Sequence, residues 1–268
     1  MYSLEILNHN KRPNALDYIH YIFPDFMELS GDRLFGDDQA ILGGLASINT
    51  TPMTIIAQVR GRNLDEMLSC NFSMAKPEGF RKALRLIKQA EKFNRPVINF
   101  IDTHGAYPGI EAEERGQAQA IANIMAEAMF LKSPIVTIII GHGGSGGALA
   151  LCVANKIAIL EHAVLSAISP KACAKILWKD ASREEEAMRI LKMTANDLYK
   201  QGNVDVILKE PYGGAHNNPM QMADVIREFI ECTISSYQNV SPNQIVEERY
   251  QKYRKGVLFT KSYADGKI

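Results

Sequence analysis

SPIVTIIIGHGGSGGALALCV, residues Ser133 to Val153, decides how this chain is read. Pro134 is followed by the apolar or β-branched run Ile135 to Ile140, and then by Gly141, Gly143, Gly144, Gly146 and Gly147. The order is strand, glycine loop, helix. Glycine admits positive φ and lets another molecule approach the main chain, while the helix start presents unpaired N–H donors and the positive end of its dipole. A negative oxygen is welcome at such a junction. It belongs either to a phosphate or to a group that gains charge only in a transition state.

The phosphate reading has support. Gly141, Gly143 and Gly146 satisfy G-x-G-x-x-G, a strand follows at Lys156 to Leu160, and Glu161 stands where a ribose-binding acid would. Against a dinucleotide site, the loop lies mid-chain, and the preceding strand unit ends in a second glycine loop of the same character, Asp102 to Gly109.

The 268-residue length suits one large α/β domain, with about 70–75% of the unfolded surface buried on folding. Thirty basic and 30 acidic side chains cancel, so no field favours nucleic acid or an acidic membrane. Cys70, Cys152, Cys173 and Cys232 are scattered, with neither a C-x-x-C pair nor a histidine at ligand spacing. A metal site within this chain is therefore not expected, and a reducing interior fits better than a disulfide framework. The N-terminus lacks a signal-peptide core, and no stretch approaches the ~20 apolar residues of a membrane span. A soluble, cytoplasmic protein is expected.

In chain order, an N-terminal helix is expected at about residues 14–29, with a break or kink at Pro24. Asp32, Arg33, Asp37 and Asp38 crowd a glycine-bounded turn and are expected to be solvated, with local salt bridges. Paired strands follow at Ala40 to Ile48 and Met53 to Val59, then a loop from Gly61 to Pro77 long enough to be a cover or binding segment. A helix opens at Pro77, with Arg81, Lys82, Arg85, Lys88 and Lys92 expected as a solvated basic face. Val97 to Ile101 is a buried strand, and Asp102 is placed to cap the turn after it. A helix is expected from Ile110 to Leu131, opened by Glu111, Glu113 and Glu114. Beyond the central loop come strands 156–160, 164–168 and 204–208, helices 170–178 and 182–193, and C-terminal helices at about 219–255.

IDTHGAYPG, EERGQAQAIA, IIGHGGSGGALAL, AISPKACAKILWKDA and EPYGGAHNNP, with KPEGFRKALRLIKQAEKF before them, resemble the alpha subunit of the carboxyltransferase component of bacterial acetyl-CoA carboxylase. The likeness runs in order from about Arg12 to Tyr253. It implies an α/β, crotonase-like (ClpP/crotonase) fold: a superhelix of repeated ββα units with flanking helices, as a single domain over residues 1–268. It also implies transfer of a carboxyl group from carboxybiotin, tethered to the biotin carboxyl carrier protein, onto acetyl-CoA to give malonyl-CoA for fatty acid biosynthesis. Biotin carboxylase and a homologous beta subunit with its own zinc ribbon are the implied partners, in an α2β2 assembly. By the same resemblance Gly146 and Gly147 supply the catalytic N–H donors facing the biotin oxygen. Gly105, Ala106, Tyr107, Gly143, Gly144 and Ser145 line the substrate site, and Gly147→Val is expected to abolish transfer with the fold intact.

Departures from the family pattern stand close to these loops. His142 replaces a usual Glu, Lys171-Ala172 a usual Glu-Gly, and His104 a common Pro. His142 and His104 either meet at neighbouring strand ends and titrate near neutral pH, or only pack and cap. Two rivals remain: a paralogous or non-catalytic subunit serving another acyl-CoA, and a crotonase-type hydratase or decarboxylase acting alone, for which Glu111, Glu113 and Glu114 are the nearest acids.

Overall fold

The computed structural model describes residues 2–255, with side chains from Leu4 onward. Helix α1 (Tyr2–Leu7) packs Leu7 against Val164 and Met193. Helix α2 (Ala15–Ile22) opens on a capping box: the Asn14 side chain accepts the Asp17 N–H while the Asp17 carboxylate accepts the Asn14 N–H. The helix expected over 14–29 stops at Ile22, since Pro24 lacks the donor that another turn requires, and Met27–Glu28 forms the short strand β1 instead.

Strands β2 (Ile41–Ile48) and β3 (Thr51–Gln58) form the expected hairpin, with Ile48 opposite Thr51. The supposed loop 61–77 holds a helix, α3 (Leu64–Ser69), followed by Asn71, Phe72 and Ser73, all at positive φ. Helix α4 (Pro77–Lys92) then crosses to the wholly buried strand β4 (Val97–Thr103). The helix expected over 110–131 is two, α5 (Ile110–Glu114) and α6 (Gln117–Phe130), because the chain turns left-handed at Gly116.

Strand β5 (Ile135–Gly144) is followed by the one-turn helix α7 (Ser145–Leu149), then β6 (Lys156–Leu160) and β7 (Val164–Ser166). Next come α8 (Pro170–Trp178), α9 (Glu184–Leu191), α10 (Ala195–Lys200) and β8 (Val206–Leu208). Helices α11 (Pro219–Ser236) and α12 (Pro242–Lys255) close the described chain. The 8-stranded sheet runs β1-β2-β3-β4-β5-β6-β8, with β7 paired to the far end of β5. Its first three strands are antiparallel and the pairs from β3 onward parallel, so β4 and β5 are covered on both faces and are mostly apolar, with Asn99 and Thr137 buried among the aliphatic side chains.

The charged turn and the basic helix face are solvated only in part: Arg33, Asp37, Lys88 and Lys92 are exposed, whereas Asp32, Asp38 and Lys82 are buried and hold the two elements together. Lys82 is fully buried and donates to the Asp37 carboxylate at 2.6 Å and the Asp38 carbonyl at 3.0 Å. Asp32 accepts the N–H groups of Leu34, Phe35 and Gly36 and the Arg81 guanidinium. Burial pushes the Asp32 carboxyl up, but these bonds outweigh it and hold it down at about 2. Arg85 donates to the carbonyls of Leu29, Ser30 and Gly31. Of the five cations, Lys88 keeps an exposed pairing, with Glu127 at 2.9 Å.

Candidate functional site

The glycines after Ile140 are not a loose loop. Gly141, Gly143 and Gly144 continue strand β5, where His142, Gly143 and Gly144 pair with Val164, Leu165 and Ser166. The reversal is made by a single residue, Ser145, left-handed at φ 53° between strand and helix. Helix α7 begins there, so the N–H groups of Ser145, Gly146 and Gly147 have no carbonyl behind them within the helix.

The second glycine loop leans against this turn. A Cβ on Gly144 would stand 2.2 Å from the His104 carbonyl oxygen, and one on Gly147 would stand 2.4 Å from the Gly105 carbonyl carbon. Gly147→Val therefore cannot leave the fold intact, because the two loops touch through main-chain atoms. At Gly146 the position of a Cβ is open, with its nearest heavy atom 4.0 Å away. Gly105 has φ +151°, and its N–H donates to the Thr103 hydroxyl oxygen at 3.1 Å. The Ser73 hydroxyl donates to the Asp102 carbonyl, and the Tyr107 N–H donates to the Ala75 carbonyl at 3.0 Å. The left-handed Asn71–Ser73 turn thus straps the Gly105–Tyr107 loop in place.

A cleft of ≈ 80 Å³ opens where β5 meets β7 and α8, lined by His104, His142, Gly143, Gly144, Ser166 and Pro170 among others. Of the residues named from the sequence, Gly143 and Gly144 line it. Gly105, Ala106, Ser145, Gly146 and Gly147 gather at the adjoining turn. Tyr107 joins neither group: its hydroxyl is engaged with Glu111, which raises the phenol pKa, and Lys76 lies 4.9 Å from its ring centroid.

His104 and His142 do meet, with ring centroids 4.6 Å apart. His142 does not titrate near neutral pH. Burial, then the neighbouring His104, Arg60 and Arg12, pushes His142 down to about 3, and burial with Arg60 lowers His104 as well. His142 Nε2 lies 2.9 Å from the Asn8 side-chain oxygen, so a neutral ring donates from that nitrogen. Asp102, expected to cap the turn after β4, instead accepts the His142 N–H across the sheet at 2.9 Å. Burial raises its pKa against the pull of Arg60.

Several supporting residues left no local mark in the sequence. Arg12 donates to the Ile140 carbonyl at 3.0 Å and grips Glu210 through two bonds of 2.7 and 2.8 Å. Glu210 in turn accepts the N–H groups of His162 and Ala215. Burial pushes the Glu210 carboxyl up, yet the Arg12 bond and charge outweigh it and hold the pKa below its usual value. The glycine content marked the two loops, but nothing in the spacing pointed to Arg12, Glu210 or Asn8. The four cysteines are free, and no group of three or more His, Cys, Asp or Glu among the described residues is placed to hold a metal ion. Nor is any helix among them long and apolar enough to cross a membrane.

A family model described as acetyl co-enzyme A carboxylase carboxyltransferase-like matches residues 2–256. The acetyl-coenzyme A carboxylase carboxyl transferase subunit alpha of Clostridium botulinum (strain Alaska E43 / Type E3) is 54% identical over 253 residues, 94% of this chain and 92% of that protein. The protein of that name from Listeria innocua is 51% identical over 253 residues, 94% of this chain and 80% of that protein. Among solved structures, a Pseudomonas malonate decarboxylase hetero-tetramer in complex with coenzyme A superposes with TM-score 0.70 at 15% identity, over 92% of this chain and 98% of that one. A transcarboxylase 12S structure gives TM-score 0.70 at 17% identity over 88% of this chain, which spans 44% of its length. At such identities the likeness speaks for the fold: the mixed α/β sheet with flanking helices is the crotonase-like one.

Proposed function

The chain belongs to the acetyl co-enzyme A carboxylase carboxyltransferase family, and from that premise we propose that it forms the biotin-side half of a carboxyltransferase making malonyl-CoA from acetyl-CoA. Carboxybiotin, carried on the biotin carboxyl carrier protein after loading by biotin carboxylase, supplies the transferable carboxyl group. Gly146 and Gly147 would hold it through the main-chain N–H groups that α7 leaves without acceptors. The residues fit that ligand. The donors are uncharged and preoriented, the space over Gly146 is open, and the neighbouring His104 and His142 are neutral. An oxygen that becomes negative as the carboxyl group leaves meets these dipoles without any rearrangement of the protein. In other enzymes withdrawing one such donor costs about 10²–10³ in kcat.

The single observation that carries this reading is the meeting of Gly147 with the Gly105–Ala106 peptide, which fixes the donor turn against a second main-chain wall. Among the described residues Asp102 is the buried carboxylate at the two loops, and its main-chain partner at His142 engages it. The rival of a hydratase or decarboxylase working alone loses support, because Glu113 and Glu114 are exposed on α5 and Glu111 turns to Tyr107 and Lys76. The CoA half of the site is assigned to a beta subunit with a zinc ribbon, in a cytoplasmic α2β2 assembly.

Co-expression with a zinc-ribbon beta subunit from the same source tests this, using biotin-dependent loss of the carboxyl group from malonyl-CoA as the assay. Activity in the complex and none in either chain alone is expected. A stable complex inactive on malonyl-CoA but active on another carboxylated acyl-CoA would establish the paralogue reading. Activity of this chain alone without biotin would overturn the assignment.

A further inference from the structure

Gln58 is the last residue of β3, 1% exposed, and its side-chain Nε2 donates to the Gly147 carbonyl at 2.8 Å. Which end of the amide faces Gly147 is fixed by chemistry, since a carbonyl oxygen only accepts. That carbonyl is available because the helix tightens beyond it: the Leu151 N–H bonds to the Ala148 carbonyl at 3.1 Å, one residue short of Gly147. The other end of the Gln58 amide, Oε1, is buried without a partner. An orphaned buried acceptor is unfavourable, and an apolar side chain would fill the same space without it. What the amide provides at this position is the bond to Gly147.

The N–H and C=O of Gly147 belong to two peptide planes hinged at its Cα. That Cα is wedged against the Gly105–Ala106 peptide, so the hinge does not translate. Fixing the carbonyl plane then limits rotation about the hinge and with it the aim of the N–H. We infer that Gln58 is a positioning residue: its amide, clamped to the Gly147 carbonyl from the end of β3, sets the direction of the Gly147 N–H donor. The inference rests on the oxyanion role proposed above for Gly146 and Gly147. It extends the site to strand β3, which contributes no residue to the cleft lining.

The test uses the reconstituted complex with the beta subunit and the malonyl-CoA assay. Gln58→Met keeps the length of the side chain and removes the donor. Its kcat should fall by about tenfold or more with KM for malonyl-CoA unchanged, since a small misplacement of a catalytic group is paid in rate rather than in ground-state binding. Gln58→Glu supplies a carboxyl group that repels the Gly147 carbonyl when ionised and donates to it when protonated. Its kcat relative to wild type should therefore rise as pH falls from about 8 to about 6, which a side chain that only packs would not produce. A Gln58→Met kcat within about twofold of wild type, or parallel pH profiles for Gln58→Glu and wild type, would overturn the inference. If Gln58→Met fails to fold, the Gln58→Glu profile decides. Wild-type activity is measured first: its absence removes the oxyanion role itself, whereas an active wild type beside an unaffected Gln58→Met removes Gln58 alone.

Discussion

His142 is half-buried, faces His104 and Arg60, and remains neutral because charging it would leave an imidazolium poorly solvated among cations. Its folded pKa of about 3 lies below the 6.5 of an ordinary histidine. Below pH ~6.5 the unfolded chain therefore binds the additional proton, so the stability tied to this ring is complete above that pH and is lost as pH falls toward 3. His104 is lowered too and adds to the slope, while the raised carboxyl of Asp102 works in the opposite sense. Glu210, held below its usual value, contributes in the same sense as His142 only once pH drops below the ordinary glutamate range. Urea midpoints measured between about pH 7 and 5 should decline for wild type and decline less for His142→Gln, which removes the titrating ring. Identical slopes would contradict the assigned neutrality. At this same scale the sequence was half legible. Two histidines at neighbouring strand ends could be read from the loops, but the lowering of both depends first on their burial and then on Arg60, which comes from elsewhere in the chain.

Among the elements, α6 and α12 show how distant parts of the chain are tied. Arg249 on α12 is fully buried, and its guanidinium donates to the carbonyls of Ala128 at 2.8 Å, Leu131 at 2.7 Å and Ser133 at 2.9 Å. Ala128 lies in the last turn of α6, Leu131 is its C-cap, and Ser133 lies in the turn that leads into β5, so one guanidinium ties the helix end to the next strand. Burial lowers the Arg249 pKa to about 10, and the group is still charged at neutral pH. Arg249→Met keeps much of the packing but orphans several acceptors, so a loss on the order of 3 kcal/mol or more is expected. For a chain of this size that corresponds to a fall in Tm of about 6–12 °C, measurable by calorimetry; a shift below about 2 °C would show that water replaces the guanidinium. Helix periodicity made α4 readable, because its apolar face repeats every three or four residues. The function of Arg249 was not readable, since an arginine among the glutamates and lysines of α12 looks like any solvated charge. The break at Gly116 is not legible either: the acids before it suit a helix start and the alanines after it suit a helix interior, so nothing in the pattern marks two helices.

Over the whole molecule, the strand-to-helix reading of residues 133–153 held because parallel strands covered on both faces must be mostly apolar, and because only a turn built on small residues lets two main chains touch. What the glycines do was less legible. Gly144 and Gly147 serve contact between the two loops, and Gly146 keeps open space beside the free N–H groups. That division depends on the packing of β4 against β5, and sequence spacing does not contain it. It also sets the most direct test of the central claim, that α7 offers an oxyanion site. Gly146→Ala adds one methyl group where the nearest heavy atom is 4.0 Å away, so the folded chain and its Tm should be preserved. In the complex with the beta subunit its kcat for biotin-dependent loss of the carboxyl group from malonyl-CoA should fall by about 10²-fold, as the methyl group occupies the approach to the donors. Gly146→Ala with unchanged Tm and a wild-type kcat would contradict the account.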